Sequence, residues 1–538
     1  MNTPHPAPIS LPRNILLIYP QVPDTYWSYR HALSFVGKRA VMPPLGLLTV
    51  AAIMGERYSY RLVDTNVTPL SEEDLGWADM AFVSAMIVQR ESLAAVIARC
   101  NRWDVPVVAG GPYPTACHEE ISGVDHFVLG EAEMILPQFC SDLERGTLRP
   151  LYRPDRRPEL GEVPIPRFDL CDLDAYETIP LQFSRGCPFN CEFCDIVSLF
   201  GHRVRTKTTD HMLRELEVVY QTGFRGNIFI VDDNFIGNRR RVKDLLRGMA
   251  AWQTEHRYPY RIATEASIDL AHDDELLSLM VSAGFKMVFV GLETPVEASL
   301  ASAGKQQNLR QDMTEAVHRM QRVGIEVTGG FIVGFDTDPA DIFDRQITFI
   351  QELGIPTAMV GMLMALPGTR LWQRLVTEDR ILSRSSGDNT HQGELNFRTR
   401  MDRSTLVTGY RRVLQQTYSP RHYFARGISL LRRLPRAPAT RRRLRIGWRE
   451  VTALLRSLTI QGSSRYALWY WSFVVRAIAI RPRMFEHIFK IAIQGHHFFV
   501  ITGMMLRRPA GLPPGAHTAV SSSIHRVNSG LRSDSTVS

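Results

Sequence analysis

Cysteine is scarce in this 538-residue chain, with seven in all at positions 100, 117, 140, 171, 187, 191 and 194. So few, so unevenly placed, exclude the disulfide framework of a secreted scaffold. The opening MNTPHPAPISLPRNILLIYP has no basic start, long apolar stretch or small-residue cleavage site, so no signal peptide is read and a cytoplasmic location is expected. No apolar stretch runs the roughly 20 uninterrupted residues that cross a bilayer. Acids are rare towards the end: residues 420–510 hold 18 Lys and Arg against Glu450 and Glu486. That local balance of +16 leaves −8 for the rest of a chain whose total is +8. A basic segment on a mildly acidic body points to phosphates, in nucleic acid or in lipid headgroups. No recognisable nucleic-acid module accompanies it, so nucleic acid is not the expected partner.

Hydrophobic content of 44% and charged content of 22% are those of an ordinary globular protein. NILLIY (14–19), MAFVS (80–84), VPVVA (105–109) and HFVL (126–129) are expected strands, with helices at 45–55 and 91–101 between them. Such alternation implies a doubly wound, Rossmann-like α/β domain over 1–150, with GGPYPT (110–115) on a ligand loop after a strand. A Pro- and charge-rich linker (151–178) follows. Region 179–400 repeats a β/α theme six times, with strands expected at 180–184, 227–232, 260–265, 286–292, 325–333 and 357–364. Six units suggest a partial or complete barrel with its chemistry at the C-terminal ends of the strands. Residues 401–508 read as a helical, basic domain, and the Ser/Gly/Pro-rich stretch 509–538 as a disordered tail.

RGCPFNCEFC (185–194) carries three cysteines just after the first of those six strands. A zinc site asks for four N/S ligands, and His202 is the next candidate, with no second C-x-x-C anywhere. A redox dithiol needs two cysteines and leaves one unexplained. Three thiolates suit a [4Fe–4S] cluster with one iron open to a further ligand. VDDNF (231–235) ends the second strand with Asp232 and Asp233, a pair suited to a cation or to a helix N-cap. TEAS (264–267) ends the third with Glu265 and Ser267, GGFIVGFD (329–336) lies on the fifth, and LPGTRL (366–371) follows the sixth.

Cys187-x3-Cys191-x2-Cys194 on the first strand of a six-unit domain resembles the radical S-adenosylmethionine (SAM) superfamily. The resemblance implies that Cys187, Cys191 and Cys194 hold a [4Fe–4S] cluster whose open iron chelates SAM, and that one-electron cleavage yields a 5′-deoxyadenosyl radical. It implies SAM contacts at Asp232, Asp233, Glu265, Ser267, Gly330, Ile332 and Gly334. Where the family has an acidic residue three places after the second glycine, this chain has Thr337 between Asp336 and Asp338. PPLGLL (43–48), VDTN (63–66), GGPYPT and GEAE (130–133) ahead of the barrel resemble the cobalamin-binding class, implying cobalamin near Gly110 and Gly111. The D-x-H-x-x-G motif that supplies an axial histidine is missing; His31, His118 and His126 lack its context.

With both modules, the resemblance implies a methyltransferase acting on an unactivated carbon, similar to hopanoid 2-methylases, with a hydrophobic lipid substrate and a flavodoxin- or ferredoxin-like electron donor. The alternative is a radical SAM enzyme that joins or rearranges carbons without methyl transfer; a third reading is an iron–sulfur or zinc regulatory protein. YALWYWSFVVRAIAI (466–480), IAIQGHHFFVITGMML (491–506) and RRRLRIGWR (441–449) suit helices resting on an anionic membrane surface at the inner face, or a helical cover on the barrel's open edge.

Overall fold

The computed structural model describes residues 12–390, 395–436 and 447–507. The tail from residue 509 and most of RRRLRIGWR lie outside the described residues.

Two six-stranded parallel sheets organise the chain. The first holds β1 (Asn14–Tyr19), β2 (Ser59–Asp64), β3 (Met80–Ser84), β4 (Val107–Gly110), β5 (His126–Val128) and β6 (Leu151–Tyr152), in the order β2-β1-β3-β4-β5-β6. Ile15, Leu16, Leu17 and Ile18 are fully buried, as a central strand covered on both faces requires. The strand order reverses between β1 and β3, the place where such sheets take ligands. Two strands were not expected from the sequence. β2 (SYRLVD) is an edge strand whose first four residues are exposed or half-buried, and β6 is two residues long; it carries the first sheet as far as Tyr152.

The second sheet begins with β7 (Thr178–Leu181). A short antiparallel ribbon follows, β8 (Ser184–Arg185) on β9 (Arg205–Thr206). Then come β10 (Asn227–Ile230), β11 (Arg261–Glu265), β12 (Phe285–Glu293), β13 (Glu326–Val333) and β14 (Ala358–Met362), in the order β14-β13-β12-β11-β10-β7. β7 and β14 are thus the two edges of a partial barrel, and all six expected units are present.

An open sheet edge presents unpaired backbone groups. Helix α1 (Arg30–Val36) and the C-terminal helices α2 (Arg403–Thr417), α3 (Pro420–Arg433), α4 (Trp448–Arg456), α5 (Ala467–Ile480) and α6 (Phe485–Arg507) address this. From α2 and the residue after it, the hydroxyls of Tyr410 and Tyr418 donate to the β14 carbonyls of Val360 (3.0 Å) and Ala358 (2.5 Å). On α3, the fully buried Arg426 donates to the carbonyls of Ile355 (2.7 Å), Thr417 (2.8 Å) and Pro356 (3.3 Å). Burial without an acid beside it lowers its pKa to about 10.

Helix α6 fits the second of the two readings of 491–506, a helical cover. Its 491–506 stretch does not lie on an outer surface: Ile491, Ala492, His497, Phe498, Ile501 and Met505 are buried. Tyr26, just before α1, hydrogen-bonds Thr502 (2.8 Å), and His497 bonds the Tyr26 carbonyl (3.1 Å). The helix is apolar because it packs on both the barrel and the N-terminal domain. Among the described residues no helix is long and apolar enough to cross a membrane.

Candidate functional site

The cysteine loop lies between β8 and β9, at the C-terminal end of β7. Gly186 opens it with φ 95°, and a side chain there would meet the carbonyl oxygens of Arg203 and Gly201 at 2.8 and 2.9 Å, so only glycine fits. The loop is held from several directions. Cys187 N–H donates to Gly201 O (3.2 Å), Glu192 N–H to Ala303 O (2.8 Å), and Leu371 N–H to Glu192 O (2.8 Å). The Glu192 carboxylate accepts from Arg374 (2.5 Å), and Arg370 donates to Asn190 O (3.2 Å). LPGTRL therefore has a use beyond a turn: Thr369 caps the helix Arg370–Thr377, whose first residues grip the loop.

All three cysteines are free and half-buried. Burial pushes Cys194 up to about 12 and raises Cys187; Lys305 opposes both shifts. The Lys305 ammonium is fixed by Glu293 (2.6 Å) and lies 5.9 Å from the Phe193 ring. Glu293 has φ 63° at an irregularity in the β12–β13 register, a backbone placement uncommon outside glycine. Gln307 Nε2 lies 3.9 Å from Cys191 Sγ. His202 is exposed, and among the described residues no three His, Cys, Asp or Glu side chains close on a point that would hold a single metal ion. Three thiols beside a half-buried cation and an amide donor fit an anionic, thiolate-held cluster. Lys305, Glu293, Gln307, Glu192 and Arg374 carry no local sequence signal.

Next to the loop stand three carboxylates. Asp232 is buried with both oxygens engaged, accepting from Phe183 N–H (2.7 Å) and Ser184 Oγ (2.6 Å). Asp233 accepts from Gly186 N–H (3.1 Å). Neither caps a helix, since the caps of the next two helical segments are Asn234 and Asn238. Glu265, at the end of β11, has no hydrogen-bond partner among the described residues. Burial, reinforced at all three by neighbouring carboxylates, raises Asp232 and Glu265 to about 7 and Asp233 to about 6. Arg185 offsets the rise at Asp233. Glu265 and Asp233 thus keep acceptor capacity in a negative pocket, an environment that fits the ammonium of SAM; Asp232 serves the backbone beneath it. Ser267 is locked to Asn234, its N–H and Oγ within 3.2 and 3.3 Å of Asn234 Oδ1.

On β13, the missing side chain of Gly330 leaves room for the Phe289 ring, which would lie 2.8 Å from a Cβ there. Ile332 packs in a cluster with Phe335, Leu363 and Phe193. Gly334 has φ 101°, and its N–H donates to Asp338 (2.7 Å), which also accepts from Phe335 N–H and Ser299 Oγ. Asp336 pairs with Arg380 (2.6 Å) and Arg374 (3.0 Å). Both acids flanking Thr337 therefore hold structure.

GEAE, one of the stretches that resemble the cobalamin-binding class, joins the two sheets. Glu131 accepts from Arg185 (2.8 Å) and from both guanidinium nitrogens of Arg205 (2.8 and 2.9 Å), the arginines on either side of the cysteine loop. Glu133 accepts from Arg185 (2.7 Å). The Gly110–Gly111 pair is used within its own domain: a Cβ on Gly111 would meet Ser84 Oγ at 2.5 Å, and one on Gly110 the Val128 carbonyl at 3.0 Å. The loops after β1 (20–29) and β3 (85–89), which border the switch point, contain no histidine. A corrin held there takes no imidazole from them.

Comparison with known proteins agrees with this geometry. The Radical SAM superfamily matches residues 181–350, and a domain of unknown function (DUF4070) matches 369–509. An uncharacterized methyltransferase of Synechocystis sp. is 40% identical over 489 residues, 90% of this chain and 91% of that protein. The hopanoid C-2 methylase of Rhodopseudomonas palustris is 31% identical over 501 residues, 91% and 93% of the two chains. The fold is shared with the cobalamin-dependent SAM radical enzyme OxsB, at TM-score 0.57 and 16% identity, over 93% of this chain and 80% of that one. The chain belongs to the radical SAM methyltransferases, which use a [4Fe–4S] cluster and SAM, and it carries after the barrel the helical region that DUF4070 matches.

Proposed function

We propose that this enzyme methylates an unactivated carbon of a hydrophobic polycyclic or isoprenoid lipid, most specifically a hopanoid at position 2. The observation that carries the reading is an aromatic wall beside the carboxylates. Phe289, on β12, pairs in register with Glu265, and the Trp27 ring from the N-terminal domain packs on it at 5.4 Å. Trp27 is still 46% exposed despite lying between two domains, so this apolar surface faces open space rather than core. Register partners on neighbouring parallel strands share a face. An apolar ring system lying on Trp27 and Phe289 would thus sit next to the SAM pocket. The 31% identity to a hopanoid C-2 methylase supports the same substrate class.

Bound together, cluster, SAM and cobalamin supply an abstracting radical and a methyl donor. The chain's own residues do the rest. Cys187, Cys191 and Cys194 hold the cluster, Lys305 balances its charge, and Asp233 and Glu265 receive the cationic end of SAM. Glu131 ties the methyl-supplying domain to the cysteine loop.

The test is anaerobic incubation of the reconstituted protein with hydroxocobalamin, reductant, SAM and a total lipid extract, followed by mass analysis. A hopanoid gaining one CH2 supports the reading. A gain confined to polar metabolites, or no gain beside SAM cleavage, contradicts it.

A further inference from the structure

Among the described residues, fourteen large hydrophobic side chains are exposed, and eight of them fall between positions 448 and 485: Trp448, Leu455, Ile460, Leu468, Trp469, Trp471, Val475 and Phe485. Helix α5 shows why this is unusual. One side, with Tyr470, Phe473, Val474 and Ala477, is buried. The opposite side carries Leu468 (87% exposed) and Val475 (64%), with Trp469 and Trp471 alongside. A helix apolar all round is expected inside a protein or a membrane, yet α5 meets protein on one side only. Exposed apolar side chains gathered in one stretch of the chain mark an interaction site.

The charges around it identify the occupant. Arg465, Arg476 and Arg483 have no hydrogen-bond or ion-pair partner among the described residues. Both nearby acids are spent: Glu450 accepts from Gly447 N–H (2.8 Å) in the cap of α4, and Glu486 pairs with Arg261. Tryptophans beside unpaired arginines, with no free carboxylate, match the water–lipid boundary of an anionic bilayer.

We infer that the outer face of α4 and α5 docks on an anionic lipid surface, with Trp448, Leu468, Trp469, Trp471 and Val475 inserted among the headgroups and Arg465, Arg476 and Arg483 on the phosphates. The face adjoins the site. α4 packs on α1, with Arg456 donating to Ser34 O (2.6 Å), and Trp27 lies three residues before α1. Docking there brings the Trp27–Phe289 wall towards the lipid, although the inference stands whatever the substrate is.

Full-length protein is sedimented with sucrose-loaded vesicles of phosphatidylcholine alone or mixed with phosphatidylglycerol. Wild type is expected in the pellet with mixed vesicles and in the supernatant with neutral ones. The variant L468D/V475D should bind mixed vesicles at least tenfold more weakly, and R465E/R476E should lose the preference for phosphatidylglycerol. All four positions are exposed, so thermal midpoints should match wild type, which separates lost docking from misfolding. Wild type remaining in solution with both vesicle types would overturn the inference, as would undiminished sedimentation of L468D/V475D. A concentration-dependent dimer abolished by L468D/V475D, without vesicle binding, would reassign the face to a second copy of the chain.

Discussion

Glu131 and Arg185 stand 2.8 Å apart, and with Arg205 on the other side of the same carboxylate they fasten the N-terminal domain to the base of the cysteine loop. All three side chains are at most 12% exposed. The two sheets are thus joined at the cysteine loop itself.

Glu131→Ala leaves the buried Arg205 guanidinium without its anion and Arg185 with Glu133 alone. Breaking a buried pair costs about 3–5 kcal/mol. The expected result is a lower thermal midpoint and faster proteolysis in the 153–170 connector. A midpoint equal to wild type would show that the junction is held elsewhere.

Arg426→Leu should destabilise by several kcal/mol. Three buried carbonyls lose their donor, at about 1–3 kcal/mol for each group left unsatisfied. Denaturant unfolding measures it.

Glu265 gives stability a pH dependence of known sign. Its folded pKa, raised to about 7 by burial and then by Asp233 and Asp232, lies above the ordinary 4.5. Between those values the unfolded chain has released a proton that the folded chain keeps, so this group makes stability fall as pH rises towards 7. Glu265→Gln removes that contribution. Thermal midpoints of the ligand-free protein across this range should decline less steeply in the variant, while SAM binding weakens.

The barrel was legible in the sequence because each strand is a compact apolar run followed by a helix. β2 and β6 were not, one half-polar at an edge and the other too short to show a pattern. The cysteine loop announced itself through its spacing and its place after the first of six β/α strands. Its supports did not: Glu131 is 54 residues from Arg185, and Lys305 acts from another β/α unit. Asp232 stood out as half of a carboxylate pair, yet its engagement by Phe183 and Ser184 depends on β7 and β10 being neighbours. The apolar character of 491–506 was equally visible, but periodicity does not distinguish a helix buried against protein from one lying on lipid.

Lys305→Met removes the cation held beside the cysteines. The reduced cluster, which carries one more negative charge, loses more than the oxidised one, so the midpoint potential should fall. Each 59 mV is a tenfold change in the reduced-to-oxidised ratio for a one-electron couple. A redox titration of the reconstituted cluster followed by electron paramagnetic resonance reads it, with Lys305→Arg remaining near wild type.

The most direct measurement uses SAM carrying a deuterated methyl group, reconstituted protein with cobalamin, and a pure hopanoid under anaerobic conditions. Each labelled methyl appearing on the lipid should be matched by one deoxyadenosine and one S-adenosylhomocysteine. Deoxyadenosine accumulating with an altered lipid that carries no label, and without S-adenosylhomocysteine, would contradict methyl transfer.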